Sequence, residues 1–191
     1  MILLAAGVAG FAIVHLILAI PRIKHACIER FPRAFWPMLT SLLAILVGAM
    51  IWGWHESEVT SLYEPPAGGR YVTFLLVFAA FLCLGIFLFR GRLRQTLRFP
   101  LAIGVILWGV GHLFANGDLA TLILFGGMSA YGATHVALGL ANGMRPSPEM
   151  RTGHDVLSLL IGAALFGAMT QLHPVLTGMP VIDLGSWGGR G

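Results

Sequence analysis

Five of the seven histidines in this chain sit inside or at the end of long apolar runs: His15, His55, His112, His135 and His173. An ionisable ring among aliphatic side chains is costly, so each of the five is a functional-site candidate. Neutral imidazole suits a haem iron held between helices, because it offers a lone pair without carrying net charge into a low-dielectric interior. The plainer use of each ring is a hydrogen bond to a backbone carbonyl or to a neighbouring helix. His25 and His154 fall in or beside polar, basic stretches, where solvation accounts for them. Zinc fits less well, since it wants four protein ligands, or three and a water, often with cysteine or carboxylate. No carboxylate lies in the middle of an apolar run, and Cys83 is alone there. No H-E-x-x-H, paired acids or Ser–His–Asp spacing occurs, so hydrolytic chemistry has no visible apparatus. The absence of C-x-x-C-H argues against covalently attached haem of the c type.

The elements that must position these rings are membrane helices. Of the 191 residues 57% are hydrophobic and only 10% charged, and the mean hydropathy is +0.84, which places the chain in the membrane class. Six apolar runs stand out: Met1–Ile20, Phe35–Trp54, Tyr71–Phe89, Phe99–Ala115, Leu119–Ala141 and Val156–Leu176. Each is close to the roughly 20 residues needed to cross a bilayer. The expected fold is therefore all-α, a polytopic bundle of about six transmembrane helices. Residues 1–177 form one membrane domain and 178–191 a short tail, whose only charges are Asp183 and Arg190. The first run lacks a basic region ahead of it and reads as a retained helix, not a cleaved signal. Cys27 falls in a loop and Cys83 in mid-span, depths too different for a disulfide.

Charge gives the orientation. Ten of the twelve basic residues fall in the first, third and fifth loops; only Arg70 and Arg190 do not. The positive-inside rule makes those loops cytoplasmic and puts both termini on the opposite side of the membrane. The same placement removes nucleic acid as a partner despite a pI near 9.7, because the cations flank apolar runs instead of forming one basic face. The expected surroundings are the lipid bilayer.

His112 lies one turn before a polar break, Asn116-Gly117-Asp118. Asn and Gly tolerate the left-handed conformation that closes a helix, and Asp118 is a good cap for the next one. The stretch reads as a tight corner between two membrane helices. Gly126, Ala130 and Thr134 recur every four residues, as do Ala163 and Gly167, the spacing of small-residue packing stripes. Thr152 and Asp155 read as a capping box at the last helix. From the inner helix ends, His15 lies roughly 9 Å deep and His112 roughly 20 Å, at about 1.5 Å per residue. Depth alone pairs His15 with His135, and His112 with His55 or His173.

His15, the run Trp108-x-x-x-His112-Leu-x-Ala-Asn116-Gly117-Asp118-Leu119-Ala120-x-Leu122-x-Leu124-Phe125-Gly126, and the closing His173-Pro174 together resemble the NnrU family. These are small bacterial membrane proteins associated with nitrite and nitric oxide metabolism. The resemblance covers nearly the whole chain, and it extends to zeta-carotene isomerase, a related membrane enzyme with non-covalent haem b. It implies haem b here, with His15 and His112 as iron ligands, Trp108, Asn116 and Asp118 around the cofactor, and His55 as a further matching histidine. Two positions depart from the pattern. Arg98-Phe99-Pro100 stands where the family has Arg-His-Pro, and Gly109 stands where the isomerase has a cysteine proposed as an alternative ligand. The resemblance implies a haem protein of nitrogen-oxide respiration that senses, transfers electrons or supports a membrane respiratory reductase. The competing expectations are a haem-dependent cis–trans isomerase of a carotenoid-like polyene, and a cofactor-free structural or assembly subunit of a membrane complex.

Overall fold

The computed structural model describes residues 1–178 and 181. They are helical almost throughout, with one isolated bridge, Ser61 to Asp118, as the only β pairing among the described residues. The helices are α1 Ile2–Leu18, α2 Pro21–Arg30, α3 Phe35–His55, α4 Gly69–Leu88, α5 Arg92–Leu97, α6 Pro100–Leu113, α7 Leu119–Thr121, α8 Gly127–Ala141 and α9 His154–Thr177. A π-helical stretch, Leu122–Gly126, joins α7 to α8.

The all-α membrane architecture is as expected, but the count of six spans is not reached. Among the described residues four helices are long and apolar enough to cross a bilayer: α3, α4, the continuous run Leu119–Ala141, and α9. A fifth is reached if α1 and α2 are taken as one span bent by 92°. That bend has a local cause. Ile20 is extended (φ −86°, ψ 111°) before Pro21, because the proline ring disfavours the helical conformation for the residue preceding it. The chain then restarts with Pro21 in the first turn, where its missing N–H is harmless. The fourth expected span shrinks to the 14 residues of α6, about 21 Å of helix against a hydrocarbon core of about 30 Å. Pro100 fixes its start, and the corner after Leu113 ends it.

The long helices pack in a row: α3 on α1, α1 on α8, α8 on α6, α6 on α4, and α4 on α9. The buried centre, Leu4, Val8, Met50, Ala120 and Met128, lies where α1, α3 and the Leu119–Ala141 run meet. Outward positions carry large apolar side chains, among them Ile45, Leu75 and Leu160, each more than 60% exposed. In water so much contiguous apolar surface would aggregate; against lipid it is the ordinary exterior.

The small-residue stripes do not make the packing contacts. Ala130, Thr134 and Gly167 are exposed, and nothing approaches within 4 Å of a Cβ added at Gly167. Close approach happens elsewhere, where both partners lack side chains. A Cβ on Gly85 of α4 would meet Ser158 O and stand 3.0 Å from Gly162 N of α9. Backbones that close gain dispersion contacts along the whole crossing.

The loops sort onto two faces. The third and fifth are tied together: Arg90 pairs with Glu149, Arg151 N donates to Arg90 O at 2.8 Å, and Arg98 Nε donates to Met144 O at 2.6 Å. The capping box at α9 is not formed. Gly153, at φ 81°, is the cap residue and uses no side chain, while Asp155 accepts from Leu93 N at 2.9 Å and so caps α5 instead. His154 is likewise more than solvated, accepting from Arg90 N at 3.1 Å. Both cysteines are free. Gly178, at φ 74°, closes α9; the tail's Asp183 and Arg190 lie outside the described residues.

Candidate functional site

The corner after α6 is built differently from the expected left-handed stop. Neither Asn116 nor Gly117 has positive φ. The helix ends at Phe114 in a right-handed turn, with Asn116 N donating back to His112 O at 3.0 Å. The loop after α3 then clamps the extended chain. Leu62 N and Tyr63 N donate to Gly117 O at 2.8 and 3.1 Å, and Leu119 N donates to Thr60 O at 2.9 Å. The Tyr63 hydroxyl reaches Leu113 O and Asn116 O at 2.5 and 2.7 Å. Glycine is required at 117 by this approach, since a Cβ there would meet Tyr63 O. Asp118 does cap α7: its carboxylate accepts from Thr121 N at 2.9 Å and from the Thr121 hydroxyl at 2.8 Å. Asn116 Nδ2 donates to His112 O at 2.9 Å. Both polar residues of the motif thus shape the corner that carries His112.

His112 is held from three sides. Its Nδ1 donates to Trp108 O at 2.8 Å. Its ring stacks on Phe125 with centroids 4.2 Å apart and planes 12° apart, and Trp108 leans on both rings. Phe125 belongs to the π-helical stretch, an insertion that re-aims side chains and recurs at functional sites. His173 of α9 lies within electrostatic reach of His112, and its Nδ1 is 3.0 Å from the Thr177 hydroxyl.

A second group lies further along α8. His15 Nδ1 donates to Phe11 O at 2.9 Å, and its ring is 5.5 Å from that of Tyr131. Tyr131 is 5.9 Å from His135, one turn on. His15 and His135 are in electrostatic reach of one another, and the buried Nδ1 of His135 has no hydrogen-bond partner among the described residues. Phe99, where the family pattern has histidine, meets the His135 ring edge-on at 6.5 Å. His55 stands apart, exposed at the end of α3 beside Trp54.

The five histidines therefore fall into two layers and one outlier. The rings of His112 and His15 rest against Phe125 and Tyr131 of one continuous helix, six residues or about 9 Å of rise apart. Tyr131 was missed in the sequence; its i, i+4 spacing to His135 was the available signal. Phe125 stood in the run that carries the resemblance, with nothing to show that it stacks on His112, and Tyr63 gave no signal, because its partners are remote in sequence.

The donor chemistry fits haem at His15 and at His112 singly. A carbonyl only accepts, so the bonds to Phe11 O and Trp108 O put the protons of His15 and His112 on Nδ1 and leave each Nε2 with a lone pair. Among the described residues no group of three or more His, Cys, Asp or Glu could hold a bare metal ion, whereas a haem iron needs one or two protein ligands. At Gly109 a Cβ would meet Ser129 Oγ and lie 2.5 Å from Phe125 O. The thiolate that the isomerase resemblance would place there has no room.

The family model described as NnrU protein matches residues 3–181. No curated protein and no solved structure matches the chain. With a match running from the first turn of α1 past the end of α9, the chain belongs to the NnrU family.

Proposed function

We propose that the protein is an integral membrane b-type haem protein of nitrite and nitric oxide metabolism, which senses, carries electrons or supports a respiratory reductase. The observation that carries the haem is the fixed tautomer of His112, its Nδ1–H spent on Trp108 O and its ring braced by Phe125. The nitrogen-oxide role rests on the family resemblance. His112 would hold the haem iron, and a second histidine could share it: His15, named by the resemblance and carrying the same tautomer, or His173, which lies within electrostatic reach of His112. Bound there, haem would supply a redox-active iron able to take a diatomic ligand or pass an electron. The protein purified in mild detergent should show the Soret and visible bands of b-type haem, and the pigment should leave with acidic acetone. A colourless, folded preparation from haem-supplemented cells would instead support a cofactor-free subunit.

The reading also fixes an orientation, with the basic loops cytoplasmic and both termini periplasmic in the inner membrane. Its support is the charge asymmetry together with the contacts that join the third loop to the fifth and the second to the fourth. In a background lacking Cys27 and Cys83, Glu58→Cys should react with an impermeant maleimide on intact cells and Arg94→Cys only after lysis. The opposite pattern inverts the topology.

A further inference from the structure

On the side of α1 away from α8, a groove of about 450 Å³ opens between α1, α2 and α3. Its walls are apolar, among them Val14, Leu18, Cys27, Phe31, Phe35 and Leu39, and it lies within the size range of small-molecule sites. The helix that roofs it is of another kind. α2 turns 92° from α1, so it crosses the bundle end instead of extending it, and it carries Arg22, Lys24, His25 and Arg30 beside Ile23, Cys27 and Ile28. A short basic amphipathic helix laid across a bundle end matches one lying in the plane of the membrane interface.

Two cations stand at the rim. Lys24 Nζ lies 5.7 Å from the Trp36 ring centre, and the Arg30 guanidinium lies 5.7 Å from that of Phe31, a groove wall. Trp36 and Phe31 are about half exposed, as aromatics at headgroup depth are. With Arg22 and Arg33, four cations face a single local carboxylate, Glu29. None of the four makes an ion pair among the described residues. An apolar slot under unpaired cations is complementary to a molecule with an alkyl chain and an anionic head.

We propose that this groove binds an anionic phospholipid, one acyl chain lying between α1 and α3 and the phosphate held by Lys24 and Arg30. The site is independent of the haem reading. Cys27 lines the groove and reports on its occupancy. In a Cys83→Ala background, alkylation of Cys27 by N-ethylmaleimide is followed by mass in mixed micelles containing phosphatidylglycerol or phosphatidylcholine. Protection should need far less phosphatidylglycerol than phosphatidylcholine. The Lys24→Gln/Arg30→Gln variant should lose that preference by roughly twenty-five-fold, about fivefold for each cation. Added salt should weaken the preference in the parent protein. Equal protection by both lipids, or a preference that survives in a variant with unchanged circular dichroism, overturns the proposal.

Discussion

Replacing His112 by alanine should lower haem per protein by more than about tenfold, since loss of even an outer-shell partner costs a metal site about ten- to a hundredfold. His112 has the most constrained ring among the five, with a 2.8 Å bond to Trp108 O and a stacked Phe125. Added imidazole should restore colour to His112→Ala, because the cavity left is the shape of the ring removed; a general unfolding would not be rescued. His15→Ala and His173→Ala then decide which of the two would hold the haem together with His112. Loss of the bis-imidazole spectrum in His15→Ala alone puts the haem across both layers. Loss in His173→Ala alone keeps it in the layer of His112, with His15 and His135 forming a separate pair around Tyr131. If His112→Ala keeps full occupancy and an unchanged spectrum, the ligand assignment fails.

Gly117→Val should be strongly damaging. Its added atoms enter the space of Tyr63, whose carbonyl carbon and Cδ2 would lie 3.0 and 3.3 Å from the new Cβ. The loop must lift, which breaks the bonds from Leu62 N and Tyr63 N to Gly117 O. Overpacking together with two lost hydrogen bonds costs about 3 kcal/mol or more. For a chain of this size that is a fall of about 6–12 °C in Tm, read in detergent, with new proteolysis in the loop between α3 and α4. Gly48→Ala is the control: nothing lies within 4 Å of its Cβ position, and alanine is the better helix former, so its Tm should hold or rise. Equal loss in both variants would mean that the clamp on the corner is not what Gly117 provides.

Much of this protein follows from local chemistry, which sequence displays directly. Apolar runs long enough to cross a bilayer determine membrane helices wherever they are folded. Asp118 caps the helix that follows it because a cap needs only the residues two or three places further along the chain. The carbonyl partners of His15 and His112 lie one turn back, a relation that any helix imposes. What the tertiary structure decided are relations between elements. Gly117 is glycine because Tyr63, 54 residues earlier, lies against it, and not because the chain turns left-handed there. Asp155 caps α5 and not its own helix, since the third and fifth loops are brought together. Packing runs through Gly85 and Gly162 instead of the evenly spaced small residues, because spacing marks a face but not what lies opposite it. The two layers of histidines were foreshadowed by depth arithmetic along straight helices, yet their actual neighbours, Phe125 and Tyr131, are set by how α1 and α6 each meet α8. Helix periodicity fixes which residues share a face; only packing fixes which faces meet.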